Sequence, residues 1–532
     1  MTAQKFIFKL CLGLLFCSLI GAKFYSLDID FKVQEVASEE VERLKIHNRI
    51  LGVSEFIDNR NTTGWTYYSV FTNGSQPDWL QTYTAGYLES YLAYELVWAS
   101  YNNRIAGLSK RGFEGLPQNV SNFVKDQTEW AVQMVLQNRD DPYWNLVNAT
   151  MAQVQGMWAG YQAAALFHRR IDIMLTFEEF YLITYIYDLG DVMAKFTTLD
   201  LHELSCSFLL KMTDEGLYAS HTTWGGFMQL IRIYRILNLN LNNPIVNTKR
   251  MSLASQPGTL SSLDDYYVVD NNRVVTETTI GNANDQMYAS IHFDSLPYWL
   301  RITVANLAFT DQRSWADVYY KYRSGTYNNQ WLVIDFNNYN AFKNNMSQAR
   351  DIIWMIEEFY NVTSAIDVTQ ELLVPQGYVA SYNVAYNATI QALSQLSTNY
   401  TTDSRYHLFK KYAPGIKNFE DFKHVMRMNN FSDTGDYCDA IASRCDLAPD
   451  QDYPSGAFDC KVTSSNLALD HKSWIISGPT AENVPPFDWN NWPSLPMAEM
   501  PEVFNFDWVF IDPAHNFTLA ETRFISFEKL TW

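Results

Sequence analysis

A predicted β-hairpin near the middle of the chain constrains the fold and the chemistry more than any other stretch. An apolar run over 208–212 is followed by turn residues at 213–216 and by a second apolar run over 217–219. This is the pattern of two antiparallel strands joined by a tight turn. Cys206 stands at the start of the first strand and His221 at the far end of the second. The hairpin is therefore expected to bring a thiol near an imidazole, and both groups serve nucleophilic catalysis.

The same two residues have simpler interpretations. A lone cysteine in a strand is often a small buried apolar residue, and His221 can be a structural hydrogen-bond donor. However, the sequence contains no Gly-x-Ser-x-Gly elbow, no His-Glu-x-x-His helix, no Cys-x-x-Cys pair and no glycine-rich phosphate loop. The hairpin thus stays the best candidate for chemistry, and no metal or cofactor is expected.

The first 22 residues have the form of a secretory signal peptide. A positive charge at Lys5 precedes an apolar run over 10–20 and the small residues Gly21 and Ala22. That run is too short to span a bilayer, and no later stretch reaches about 18 uninterrupted apolar residues. We expect a mature chain that begins at Lys23 and has no stable membrane insertion. A retained N-terminal anchor is the alternative.

Ten Asn-x-Ser/Thr sequons support an extracellular or luminal chain, either secreted or in the lysosomal lumen. They are Asn61, Asn73, Asn119, Asn148, Asn345, Asn361, Asn387, Asn399, Asn430 and Asn516. The interval between Asn148 and Asn345 has none and contains the hairpin. We therefore expect this interval to form the buried part of the fold.

Charge and aromatic content narrow the classes of partner. A net charge of −19 argues against a nucleic-acid partner and against tight docking on anionic membranes. An aromatic content of 15% suits a large core and a pocket with aromatic walls. These features argue against nucleic acid and anionic membrane surfaces as partners and are compatible with a pocket for a small ligand.

Strands and helices are predicted to interleave within one large unit, because no linker or change in composition marks a domain boundary. Besides the hairpin, strands are predicted over 63–72, 266–269, 274–279, 299–306 and 331–336. Helices are predicted over 80–100, 122–136, 152–168, 177–196, 224–237, 348–360, 389–396, 405–412 and 419–428. The absence of a regular βαβ period favours α+β layers over a parallel doubly wound sheet.

Four cysteines remain after the predicted signal peptide: Cys206, Cys438, Cys445 and Cys460. The last three lie close together, so one local disulfide is expected, and we favour Cys445–Cys460. A nucleophilic Cys206 then requires one more unpaired cysteine. If all four form disulfides, Cys206 has no catalytic role.

Several strings of residues, in the same order along the chain, resemble the phospholipase B-like family of N-terminal-nucleophile (Ntn) hydrolases. They lie at 64–65, 83–89, 206–207, 221–224, 257–259, 277–282, 324–331, 380–383, 461–463, 477–480 and 484–487. The resemblance implies a four-layer αββα sandwich of two stacked sheets between helical layers. The sequence departs from the family pattern at Phe208, where a small residue is usual. It also departs in the short segment before Cys206, which lacks a Gly/Ser-rich linker.

The resemblance also implies that the chain cuts itself between Ser205 and Cys206. The resulting fragments, 23–205 and 206–532, are expected to stay associated. The thiol would attack the Ser205 carbonyl and form a thioester that water opens. The new α-amine, with a pKa of about 8, then serves as the base, so that one residue supplies both nucleophile and base.

Three residues are assigned catalytic roles through the resemblance. Cys206 is the nucleophile, Asn383 donates its side-chain N–H to the oxyanion, and Arg405 lowers the thiol pKa and holds the site together. Asn383 has an alternative, because a sequon follows at Asn387 and the segment can be an exposed loop.

Three further residues, His221, Trp224 and Thr279, are expected to form the pocket wall. For Trp224 the alternative is a plain core position, and for Thr279 it is a hydrogen bond to a strand-end backbone group. The resemblance implies hydrolysis of an acyl ester or amide, with a lipid or an N-acyl small molecule as the expected substrate. A glycosylated luminal lipid-binding protein with little or no turnover is the alternative function.

Overall fold

Two large β-sheets organise the chain in a computed structural model that describes residues 22–199, 205–495 and 497–513. The predicted signal peptide and the sequon at Asn516 therefore lie, except for Ala22, outside the described residues. Both helices and strands are abundant, which confirms the α+β class.

The strands fall into two long groups separated by the middle helices. They are β1 Lys23–Asp28, β2 Val33–Val36, β3 Ile50–Asn59, β4 Trp65–Thr72, β5 Ser205–Thr213, β6 Gly216–Gly226, β7 Arg232–Asn238, β8 Arg250–Ser255, β9 Tyr266–Val269, β10 Arg273–Thr279, β11 Asn329–Asp335, β12 Ile353–Phe359, β13 Val362–Asp367, β14 Tyr378–Ser381, β15 Ser455–Ala457, β16 Asp459–Ser464, β17 Ser473–Ser477, β18 Phe487–Asp488, β19 Val503–Phe504 and β20 Val509–Ile511.

The helices lie before the hairpin, between β10 and β12, and after β13. They are α1 Val41–Lys45, α2 Arg60–Thr63, α3 Asp78–Leu92, α4 Tyr94–Lys110, α5 Gln118–Gln137, α6 Pro142–Phe167, α7 Phe177–Phe196, α8 Tyr298–Ala308, α9 Gln312–Tyr319, α10 Phe336–Phe342, α11 Val374–Gln376, α12 Ala388–Ser394, α13 Ser404–Tyr412, α14 Phe419–Arg427 and α15 Phe431–Thr434. A capping box formed by Thr176 and Glu179 begins α7.

The larger sheet joins strands from both sides of Cys206. Its order is β13-β12-β11-β10-β9-β8-β7-β4-β3-β1-β2. Neighbouring strands are antiparallel except β4 and β7, which run parallel from the pair Trp65–Arg232 to the pair Phe71–Asn238. This single parallel pairing connects the segment before the hairpin to the segment after it.

The smaller sheet is built on the predicted hairpin. Its order is β14-β5-β6-β16-β17-β20, with β15 also paired to β6. Thr213 pairs with Gly216 across the turn of Asp214 and Glu215, and Gly216 has a φ of +149°. This backbone conformation strongly favours glycine. The hairpin predicted from the sequence is confirmed.

The two sheets pack face to face, with helices against their outer faces. Phe208 and Leu217 of the smaller sheet share an apolar cluster with Val268 and Leu332 of the larger one. Helices α3 to α8 pack on the other face of the larger sheet in a second cluster. Helices α13 and α14 pack on the other face of the smaller sheet. Each fully buried aliphatic or aromatic side chain contributes about 2 kcal/mol to folding.

Three segments have the opposite secondary structure to the one predicted. The predicted helix over 224–237 is the end of β6 followed by β7, and the predicted helix over 348–360 contains β12. The predicted strand over 299–306 lies in α8, all of whose residues are buried. Burial on every side removes the alternation between apolar and polar residues from which element type is inferred. The predicted helix over 80–100 is divided at Ala93 into α3 and α4.

One local disulfide forms among the last three cysteines, as predicted, but the favoured pairing Cys445–Cys460 is wrong. Cys438 is bonded to Cys445, whereas Cys460 and Cys206 are both free and buried. Cys460 lies within β16, where it pairs with Ile476 and packs against Phe422. This strand position fixes Cys460 in the core, so Cys445 forms its bond within its own loop.

The sequons differ in accessibility. Exposed asparagines are Asn61, Asn119, Asn148, Asn345, Asn361 and Asn399, and Asn387 is half-buried. Asn73 and Asn430 are buried, and the Asn73 Nδ2 donates to the Ile50 carbonyl at 2.9 Å. A glycan on either buried amide would displace packed chain, so the structure argues against these two sites.

Within the described ranges, no helix is long and apolar enough to cross a membrane.

Candidate active site

Cys206 lies at the start of β5, directly opposite Thr223 of β6. The backbone N–H groups of both residues point away from each other: Cys206 N donates to Asn383 Oδ1 at 2.9 Å, and Thr223 N donates to Asp459 Oδ1 at 3.0 Å. The two therefore form a non-hydrogen-bonded pair, in which side chains lie closest together. The Cys206 side chain is 1% exposed and faces the larger sheet.

Asn383 holds the backbone nitrogen of Cys206. It follows β14 with a φ of +73°, a left-handed conformation that asparagine tolerates. Its Oδ1 accepts from Cys206 N, while its Nδ2 donates to the Thr279 carbonyl at 2.8 Å. These two partners fix the orientation of the amide. Asn383 thus presents an acceptor to Cys206 while its N–H group is engaged by Thr279, and its role as an oxyanion donor stays a prediction. The residue is half-buried rather than part of an exposed loop.

Arg405 holds the carbonyl of the same residue. Its Nη1 donates to Cys206 O at 2.7 Å and its Nη2 to Tyr382 O at 2.6 Å. The guanidinium lies 4.5 Å from the centroid of the Trp224 ring, a cation–π contact. Trp224 neighbours Thr223 in β6, so its side chain lies on the opposite face of the sheet from the Cys206 thiol. Trp224 supports Arg405 and does not face the thiol.

The thiol is uncharged in this arrangement. Burial raises the pKa of Cys206 well above its ordinary value, and the nearby carboxyls of Glu277 and Asp265 raise it further. The backbone N–H of Trp224 and the charge of Lys461 act in the opposite direction. The net shift of the thiol pKa is upwards, opposite to the lowering predicted from Arg405, so this thiol would need a base to act as a nucleophile.

His221 is a buried neutral donor. Its Nε2 lies 2.8 Å from the Glu277 carbonyl, so this nitrogen carries the hydrogen. Burial, followed by the charge of Lys461, lowers the pKa of His221 well below its ordinary value. The strand register pairs His221 with Phe208, two pairs along from Cys206–Thr223 and therefore the next pair on the same face. The simpler structural interpretation therefore describes its contacts.

Thr279 ends β10 beside Asn383. Its carbonyl accepts from the Asn383 amide, as the alternative interpretation predicted. Its hydroxyl oxygen is buried with no hydrogen-bond partner among the described residues. Leaving a buried hydroxyl unsatisfied costs about 1–3 kcal/mol. Thr279 thus has an unused donor next to the residues that hold Cys206.

The sequence reasoning missed a cluster of buried charges on the thiol's side of the sheet. Lys461 Nζ lies 2.6 Å from Thr223 Oγ1 and 2.8 Å from Asp459 Oδ1. Asp459 also accepts from Arg232 at 2.6 Å, and Arg232 pairs with Asp264. All four charged side chains have no exposed surface. The available signal was the presence of charged residues within strongly apolar strands.

A second buried cluster shares a proton. Tyr327 OH lies 2.6 Å from Asp265 Oδ2 and 2.6 Å from Glu277 Oε1. A phenol has one hydrogen, so at least one of the two carboxyls must itself carry a proton. Burial, reinforced by the charge of Asp265, raises the pKa of Glu277 well above its ordinary value. Elsewhere in the described part of the chain, no group of three or more His, Cys, Asp or Glu side chains is arranged to hold a metal ion.

Comparison with known proteins agrees with the order-preserving strings. A family model described as Phospholipase B matches residues 52–511. The chain belongs to the phospholipase B family. It is 34% identical over 503 residues to Phospholipase B-like protein B of Dictyostelium discoideum, a match that covers 87% of this chain and 86% of that one. It is 29% identical over 487 residues to Phospholipase B-like 1 of Rattus norvegicus, covering 86% of each.

The match to the phospholipase B family spans every candidate residue from Cys206 to Arg405. Relatives named phospholipase B-like support a hydrolase at that general level. Of the predicted site residues, the structure brings Cys206, Asn383, Arg405 and Thr279 into one connected set of hydrogen bonds. It places Trp224 against the Arg405 guanidinium and His221 two strand pairs from Cys206.

Proposed function

We propose that this protein is an Ntn hydrolase of the phospholipase B-like class that removes an acyl group from a lipid through Cys206. The observation that carries the proposal is that two side chains form hydrogen bonds with the backbone of Cys206. Asn383 accepts from its nitrogen at 2.9 Å, and Arg405 donates to its carbonyl at 2.7 Å. The face-to-face sheets with helices outside them support the αββα arrangement that the resemblance implies.

Self-cleavage between Ser205 and Cys206 would generate the active form, with fragments 23–205 and 206–532. The Cys206 sulfur attacks the Ser205 carbonyl carbon, the C–N bond breaks, and the thiol proton passes to the departing nitrogen. Water then opens the thioester, which releases the Ser205 carboxylate and restores the thiol. The Asn383 acceptor keeps the departing nitrogen in place throughout.

After cleavage the same nitrogen is an α-amine with a pKa of about 8, a usable base near neutral pH. It takes the proton that the buried thiol retains, and the sulfur attacks the substrate carbonyl. The alcohol or amine leaves with that proton, and water hydrolyses the acyl-enzyme. The unpartnered Thr279 hydroxyl is the donor available to a developing oxyanion.

The substrate class is an acyl ester or amide of a lipid. The names of the relatives favour a phospholipid ester. Attack by a thiol with an α-amine base suits an N-acyl amide equally well. A luminal lipid-binding protein with little turnover is the second candidate, and the observation that favours it is the 1% exposure of the uncharged Cys206 thiol.

Entry into the secretory pathway is part of the proposal, with residence outside the cell or in the lysosomal lumen. It is supported by the signal-peptide pattern at 1–22 and by the exposed sequons. The two fragments are proposed to remain associated, because the pairing of β4 with β7 joins them in one sheet.

The deciding experiment compares Cys206→Ala with Cys460→Ala, since Cys460 is the other free buried cysteine. Wild type and Cys460→Ala should each give fragments of 183 (205−22) and 327 (532−205) residues on a non-reducing denaturing gel. Gel filtration should show one species. The larger fragment should begin with Cys206.

Cys206→Ala should stay full-length and lack hydrolytic activity, while Cys206→Ser should be cut more slowly, because a hydroxyl is the weaker nucleophile. Cleavage of Cys206→Ala at the same bond would show that an external protease makes the cut. An uncleaved wild type that retains a lipid and hydrolyses no acyl ester or amide would establish the binding protein instead.

A further inference from the structure

A lysine that the proposed mechanism does not use lies beside the nucleophile. We propose that Lys461, fixed by Asp459 and hydrogen-bonded to Thr223, is a positioning residue that stabilises the Cys206 thiolate. This inference rests on the proposed role of Cys206. It assigns the buried charges to the chemistry of the site rather than to the fold alone.

The strand register places Lys461 on the thiol's side of the sheet. Cys206 pairs with Thr223, and Lys461 pairs with His221 on the other side of β6. Residues in register share a face, so all four side chains point towards the larger sheet. Cys206 and Thr223 form a non-hydrogen-bonded pair, in which Cα atoms are about 4.5 Å apart. The Thr223 hydroxyl, which receives the Lys461 hydrogen bond, is thus the direct neighbour of the thiol.

The ammonium of Lys461 is held in one orientation. It donates to both carboxylate oxygens of Asp459, at 2.8 and 2.9 Å, and to Thr223 Oγ1 at 2.6 Å. Asp459 is itself held by Thr223 N at 3.0 Å and by Arg232 at 2.6 Å. Both Lys461 and Asp459 have no exposed surface. Replacing buried ion pairs with apolar residues is often neutral or stabilising, so stability is a weak reason for their presence.

The Thr223 hydroxyl fixes the Lys461 ammonium at the position across the strand from Cys206. Because Lys461 donates to Thr223 Oγ1, the Thr223 hydrogen is directed elsewhere, to Asp264 O at 3.2 Å or to His221 Nδ1 at 3.4 Å. The Thr223 hydroxyl oxygen therefore accepts its hydrogen bond from the Lys461 ammonium. A cation held one hydroxyl away from a thiol favours the thiolate electrostatically.

The other charged groups around Cys206 have different roles. Glu277 and Asp265 are acidic groups that disfavour the thiolate, and Arg405 is engaged with backbone carbonyls on the opposite face. Arg232 and Asp264 complete the ion-pair cluster around Asp459, and His221 is neutral. Among these groups, Lys461 is the cation that bonds to a direct neighbour of the thiol.

The test is the pH profile of self-cleavage. Full-length precursor made by cell-free synthesis is moved to a series of pH values, and the rate of cleavage is followed on gels. Lys461→Met should slow cleavage at pH 7 by about tenfold and move the midpoint of the profile up by about one pH unit. Thr223→Val, which keeps every charge, should slow it by about threefold, and Thr223→Ser should restore the rate.

Matched controls separate this effect from general destabilisation. Lys423→Met removes another buried lysine, and Thr276→Val removes a buried strand hydroxyl that makes no hydrogen bond with described residues. Both should keep the wild-type midpoint. A merely structural role of Lys461 would lower the melting temperature without moving that midpoint.

The inference is overturned if Lys461→Met and Thr223→Val both show the wild-type pH profile while Cys206→Ala stays uncut. In that case the proposed function survives. If Lys461→Met does not fold, the Thr223→Val and Thr223→Ser pair decides alone. If Cys206→Ala is cut like wild type, the proposed self-cleavage fails together with this inference.

Discussion

The backbone nitrogen of Cys206 lies 2.9 Å from the side-chain oxygen of Asn383, 177 positions away in the chain. Strand β14 pairs with β5 as far as the pair Ser381–Phe208 and then ends. The amide of Asn383 therefore occupies the place where a further backbone acceptor would stand in a longer strand. The nitrogen of Cys206 is held by a side chain, so a cut before Cys206 leaves this hydrogen bond in place.

Removing the Asn383 side chain should slow self-cleavage. Asn383→Gly keeps the left-handed backbone at low cost, because glycine readily adopts a φ near +73°. It loses the acceptor for Cys206 N, and we expect cleavage at least about tenfold slower, the loss of one positioning hydrogen bond. Asn271→Gly, at a φ of +65°, is the matched control and should cleave at the wild-type rate. Equal rates in the two variants would remove Asn383 from the site.

Arg405→Lys should impair hydrolysis more than it impairs folding. Lysine cannot bond the carbonyls of Cys206 and Tyr382 together in the planar geometry of a guanidinium. We expect kcat/KM to fall by about tenfold or more, equivalent to about 1.4 kcal/mol. Arg427→Lys is the control, because Arg427 is also buried and donates to the Gly478 carbonyl at 2.9 Å. Steady-state kinetics and thermal melts of both variants distinguish the two effects.

The buried Asp188 carboxyl should make the folded protein more stable near pH 4 than near pH 7. Burial raises the pKa of Asp188 to about 6, whereas the unfolded value is about 3.9. The protonated form is favoured by folding, so its contribution is fully present below about pH 4 and is lost as the pH rises through about 6. The contribution amounts to about 3 kcal/mol, from about two pKa units.

Comparison with Asp188→Asn isolates this contribution. The amide keeps an oxygen for Tyr298 N and Thr326 Oγ1 but does not titrate. Urea unfolding should show the variant gaining about 3 kcal/mol relative to wild type between pH 4 and pH 7. A stability difference that does not change with pH would contradict the raised pKa.

Peptide mapping without reduction should find Cys438 linked to Cys445, with a free thiol at Cys460. The double variant Cys438→Ser, Cys445→Ser should lose about 2–3 kcal/mol of unfolding free energy, as expected for so short a closed loop. Cys460→Ser should leave the linked peptide unchanged. A peptide that links Cys445 to Cys460 would overturn the observed pairing.

N-glycosylation should depend on whether the sequon asparagine is exposed. In protein from a secreting eukaryotic host, glycopeptide analysis should find N-glycans at exposed sites such as Asn361 and Asn399 and none at Asn73 or Asn430. The transferase acts on an accessible amide, and the Asn73 amide is engaged with the Ile50 carbonyl in the fold. Glycans at both buried sites, or at no site, would contradict this prediction.

Local sequence patterns were sufficient for the hairpin and for much of the helical content. The turn at Asp214 and Glu215 has flanking apolar runs, and α7 has both a cap and a helical period, so local energetics already specify these elements. Patterning failed at α8 and β12, where both faces are buried and the period disappears. It also failed for Cys460, because which cysteine lies within a core strand depends on sheet pairing that local sequence does not encode.

The residues of the candidate site also differ in how far the sequence identifies them. Cys206 and the end of β6 were identified because they lie in one hairpin. Asn383 and Arg405 were identified only through the family resemblance, and the structure shows which backbone atom of Cys206 each one contacts. Lys461 and Asp459 were missed, because a charge inside an apolar strand shows that a partner exists without showing which residue it is. The Thr223 contact exists only once β16 is paired with β6.

The parallel pairing of β4 with β7 has a consequence for the lifetime of the proposed two-fragment form. While the chain is continuous, the residues between these strands keep them together during unfolding, and refolding is unimolecular. After a cut before Cys206, two separate molecules must meet to rebuild the larger sheet, so recovery depends on dilution. Such an enzyme would fold once, as a single chain. Its lifetime afterwards would be set by the rate at which β4 and β7 separate and the two fragments dissociate.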